Sequence, residues 1–149
     1  MNIKHIDQYT LNDLNNESVK AKLADIFKAS DTLDWTGSYG VDLYDPASCF
    51  AAITTNPENV ESARVYHCRF EPELSSLEEA NSVYDLCAGI ASQMASLCYS
   101  IALSSPIAFA IHPYDRVTID VVLSNVEAMD GSINEYSFSN LLYGMRDIA

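Results

Sequence analysis

The chain reads as a single α+β domain: an antiparallel sheet of about five strands with three helices, in the order helix, three strands, helix, two strands, helix. Three observations predict it. Residues 86–114 carry no Asp, Glu, Lys or Arg, and their first part has the spacing of a long buried helix. Two apolar runs around Pro113-Tyr114-Asp115-Arg116 read as a hairpin. The length, 149 residues with 48% hydrophobic residues, suits one domain with a real core and no linker.

Taken in order, residues 16–30 (NESVKAKLADIFKAS) form a helix with Val19, Leu23, Ile26 and Phe27 on one face and Asn16 as N-cap. Residues 31–40 are turn-rich, with Gly37 and Gly40 as breakers. Strands are expected at about 40–44, 48–55 and 63–70, punctuated by Asp45-Pro46 and Asn56-Pro57. ARVYHCRF has the alternation of a half-buried strand. Ser75 and Ser76 stand at capping-box spacing from Glu78 and Glu79, opening a helix that runs to about Leu103. Its stripe contains Tyr84, Cys87, Ala91, Met94 and Cys98, and Val83, Leu86, Ile90 and Leu97 widen it. An apolar surface of that width calls for a second cover, so these five residues are the expected interface of a homodimer; the alternative is the central core helix of a monomer. Ser104-Ser105-Pro106 stops the helix, residues 107–112 and 117–123 make the hairpin, and residues 132–148 an amphipathic helix. Two hairpin-like groups around a helix argue for helices on one face of the sheet.

Composition limits function. A net charge of −13 repels phosphates and argues against direct nucleic-acid binding, while it attracts basic partners. Ser92, Gln93, Ser96 and Ser100 interrupt the apolar helix and no base flanks it, so a buried helix rather than a membrane span is expected. The start MNIKHIDQYT has no apolar export signal, and a cytoplasmic protein is expected. Cys49, Cys68, Cys87 and Cys98 lack metal spacing and read as reduced thiols. No metal, cofactor or catalytic residue is predicted. His67 and Cys68 are neighbours on a strand and face opposite ways; His5 and His112 have no ligand partner at a recognised spacing; GSYG is not a phosphate loop. Glu78 and Glu79 suit a helix N-terminus. Trp35 is either a partner anchor or a capped core residue.

Residues 107–131, IAFAIHPYDRVTIDVVLSNVEAMDG, together with LADIFKAS followed by LDWTGSYGVDLYD, resemble the class I chaperones of type III secretion (the Tir-chaperone type) and the related YbjN-like proteins. The resemblance spans nearly the whole chain as a pattern of elements. It implies a small, acidic, non-enzymatic cytoplasmic homodimer that holds an extended segment of a secreted effector by strand addition and apolar grooves. On that expectation Leu23, Ile26, Phe27, Phe50 and Tyr66 would contact the client polypeptide. The alternative class is an acidic inhibitor, such as an immunity protein or an anti-defence mimic of nucleic acid, to which size and charge are equally suited.

Overall fold

The computed structural model describes residues 1–28, 35–54, 60–72, 83–103, 105–113 and 116–148. It is an α+β domain with one five-stranded antiparallel sheet, in the spatial order β1-β3-β5-β4-β2. The strands are β1 (Asn2–Tyr9), β2 (Thr36–Tyr39), β3 (Val65–Glu71), β4 (Ile107–Pro113) and β5 (Val117–Ser124). The helices among the described residues are α1 (Leu11–Leu14), α2 (Glu17–Lys28), α3 (Pro46–Ile53), α4 (Val83–Ala102) and α5 (Ser137–Met145). The expected capping box at residues 75–79 lies outside the described residues.

The central strands are apolar on both sides, and this places helices on both faces rather than one. Ile107, Phe109 and Ile111 of β4, with Ile119, Val121 and Leu123 of β5, point into a core closed by α4 and α5. Ala108, Ala110 and Val122 point the other way, into a second core with Leu14, Leu23, Phe27 and Phe50 of α1, α2 and α3. A strand buried on both faces needs apolar residues at every position, and β4 comes close to that.

Two further elements depart from the order expected. The segment read as a strand at 48–55 is helix α3. Asp45 caps it, its carboxylate accepting from the Ser48 amide at 3.3 Å, and Pro46 takes the first turn, where a missing N–H costs nothing. A short apolar run fits either element by periodicity, and the Asp-Pro start decides for helix. The N-terminal segment, given no element above, is the edge strand β1. Ile3 and Ile6 are three apart, which hides the alternation. A register shift between Ile3 and His5 absorbs the extra residue, so Ile3 opposes Phe70 and Ile6 opposes Cys68 on the same face. The expected strand at 40–44 lies slightly earlier, as β2. Gly37 sits within it because a Cβ there would come 2.3 Å from the ring of Phe109; Gly40, at φ 77°, makes the turn that follows. Asn16 accepts the Ser18 amide at 2.9 Å at the start of α2.

Candidate functional site

The residues expected to contact a client are mostly interior. Leu23 and Phe50 are fully buried and Phe27 nearly so, all in the second core. An apolar groove on α2 was expected from a bare stripe, but α3 and the Ala108–Ala110 side of β4 already cover it. Ile26 alone of the three helical residues lines a cleft, and Tyr66 is stacked on Phe138 with ring centroids 4.3 Å apart. Three of the five residues of the expected dimer stripe are interior as well. Cys87, Met94 and Cys98 are completely buried against their own sheet and have no surface to offer. Tyr84 is exposed and leans on Trp35 at 5.6 Å, and Ala91 is half-buried. The outer face of α4 is mixed: Ala88, Gly89, Ser92, Gln93, Ser96 and Ser100 are exposed there together with the larger Val83, Tyr84 and Tyr99. The sheet of the same chain thus covers the buried half of the stripe. Trp35 is buried in the first core, which resolves its two readings in favour of the core one.

Two other features form the candidate site. The first is β1. It is an eight-residue edge strand paired with β3 on one side only among the described residues. Its outer backbone edge is therefore open there, and Ile3 and Ile6 stand 47% and 40% exposed beside it.

The second is a row of alternating acids and imidazoles that crosses four strands on the α2 side. Strand alternation builds it. His5 and Asp7 on β1, His67 and Arg69 on β3, Asp120 on β5 and His112 on β4 share one face. Asp120 is completely buried. It receives Nε2 of His67 at 2.7 Å, Nε2 of His112 at 2.9 Å and Nε of Arg69 at 3.0 Å. Burial alone would raise its pKa. The hydrogen bonds from His112, His67 and Arg69 outweigh that and hold the carboxyl well below the usual carboxylate range. A carboxylate only accepts, so each of these imidazoles presents an Nε2–H to it. Nδ1 of His67 is buried, has no hydrogen-bond partner among the described residues and lies 3.9 Å from Asp7 Oδ2. Asp7 in turn accepts from Lys22 Nζ at 2.8 Å and His5 Nε2 at 2.7 Å. Burial opposes its ionisation, yet Lys22 and His5 bring its pKa down to about 2. Lys22 thus ties α2 to the edge strand.

Between α2 and this row lies a cleft of about 650 Å³. Ala21, Lys22, Asp25 and Ile26 form its wall, and Arg69, Thr118, Asp120 and the two histidines its floor. Among the described residues no group of three or more His, Cys, Asp or Glu side chains is arranged to hold a metal ion. The cysteines take no part. Burial pushes the Cys68 and Cys98 thiols up to about 12, which keeps them protonated and unreactive. Among those residues, too, no helix is long and apolar enough to cross a membrane.

The row escaped sequence reading because its members lie on four strands and no short motif joins them. One signal was present. Asp120 interrupts the apolar run of β5, and a lone acid inside a strand buried on both faces demands cationic or hydrogen-bonding neighbours. Comparison with protein-family models, with curated proteins and with solved structures finds no match to this chain.

Proposed function

We propose that this is a non-enzymatic binding domain that holds an extended segment of another polypeptide along β1. The observation that carries the reading is the outer edge of that eight-residue strand, open among the described residues, with Ile3 and Ile6 exposed on one of its faces. A segment added there gains backbone hydrogen bonds from the unpaired groups, and its alternate side chains reach the two isoleucines. The cost of ordering falls on the client, since β1 is already held by β3 and by the Lys22–Asp7 pair. The charge of −13 favours a basic client and speeds encounter with it. An N-terminal segment of a secreted effector is one client of this kind, in keeping with the resemblance drawn from the sequence.

The reading is tested by replacing Ile6 with Asp. Ile6 is 40% exposed, so the fold should tolerate the change while an apolar contact with the client is lost. Client isolated on the wild-type protein should bind the variant at least about tenfold more weakly, a loss of roughly 1.4 kcal/mol. Unchanged affinity in a well-folded variant contradicts capture along β1.

A further inference from the structure

Capture along the β1 edge makes no use of the cleft beneath α2, and the cleft contains a half-engaged arginine. Nε and one Nη of Arg69 lie on the Asp120 oxygens at 3.0 and 3.3 Å, a side-on fork onto a fully buried carboxylate. The other Nη has no partner among the described residues, and the side chain remains 48% exposed at the cleft. A guanidinium carries five N–H donors in one plane. Locking one side of it on Asp120 fixes the direction in which its end edge points. That edge presents two parallel donors at the spacing of the two oxygens of a carboxylate.

The surroundings narrow the ligand. Ala21 and Ile26 provide an apolar wall opposite the polar floor, room for a short carbon skeleton. The Thr118 hydroxyl is a further donor on the floor. Lys22 adds a second positive charge, but Asp7, Asp25 and Asp120 stand at or near the same walls. Three acids against two bases suit a singly charged, planar anion far better than a phosphate dianion, because repulsion grows with the ligand's charge. We propose that this cleft binds a small molecule bearing a carboxylate, its oxygens on the free edge of Arg69 and its carbon chain against Ala21 and Ile26. The site is separate from the β1 edge and does not depend on a polypeptide client.

The test is a titration of the ¹⁵N-labelled full chain with butyrate, with inorganic phosphate and butanol as comparison probes at constant ionic strength. Butyrate should give saturable shifts centred on Arg69, Thr118, Asp120 and Ala21, and neither comparison probe should saturate there. Arg69→Lys keeps the charge on Asp120 but loses the planar fork, and should weaken butyrate binding by about tenfold or more. Ala21→Phe, a change at an exposed helix position, fills the cleft without touching the Asp120 network and should abolish binding even if the arginine variant unfolds. The proposal is overturned if butyrate never saturates, if phosphate binds as well or better, or if Ala21→Phe binds like the wild type.

Discussion

Asp120 shows how one residue joins stability to site geometry. Its carboxylate is fully buried and three side chains converge on it. Asp120→Asn keeps the shape but removes the charge, and the amide cannot accept from every donor. Arg69, being half exposed, can turn to water, whereas His67 and His112 cannot. The expected cost is about 3 kcal/mol in chemical denaturation, near the lower end for breaking a buried pair. A change below about 0.5 kcal/mol would show that the network contributes nothing to the fold. The same carboxylates set the response to acid. Asp7 has a folded-state pKa of about 2 against an ordinary 3.8, and that of Asp120 is depressed as well. A depressed carboxyl contributes stability that is fully present above the unfolded-state value and is lost as pH falls through the folded-state one. Denaturation midpoints should therefore hold steady down to pH 5, then fall from about pH 4 toward pH 2. An Asp7→Asn variant should flatten part of that fall, and a pH dependence identical to wild type would refute the assignment. Single residues were the least legible scale in the sequence. His5, His67 and His112 each looked isolated, because what unites them is the register of four strands rather than any spacing along the chain.

Elements were legible where local chemistry and burial agree. ARVYHCRF, the late hairpin, α2 and α4 all lie close to where periodicity puts them. They were misread where a short segment satisfies two templates, as α3 does, or where a bulge breaks the period, as in β1. For α4 the heptad-like stripe was visible and its use was not. Width of an apolar stripe cannot say whether a sheet or a second chain covers it, and here the stripe is absorbed by Ile107, Phe109 and Val121 of the same chain. Met94→Glu consequently tests folding rather than assembly. Burying an unpaired carboxylate at a fully buried position should cost about 4 kcal/mol, independent of protein concentration. A loss of stability that appears only on dilution would instead return Met94 to an interface between copies. Phe27, 8% exposed in the second core, belongs with Met94: an acidic substitution there disturbs the fold before it reports on any client.

At the scale of the whole molecule, the fold places its sensitive features on one side. The strand β1, its tie to α2 through Lys22, the acid–imidazole row and the cleft adjoin one another. The class of fold was legible from composition and periodicity; the two-faced sheet was not, since it depends on Ala108 and Ala110 being small enough to admit α2 and α3. The central functional claim is capture of an extended segment along β1. Amide hydrogen exchange of the complex against the free protein, with client recovered from native lysate, tests it most directly. The account predicts slowed exchange at residues 3–8 of β1, protection of a short client stretch that is unprotected alone, and loss of both with Ile6→Asp. Protection confined to other surfaces, or a client that engages as a folded nuclease or toxin with its active site covered, would contradict it.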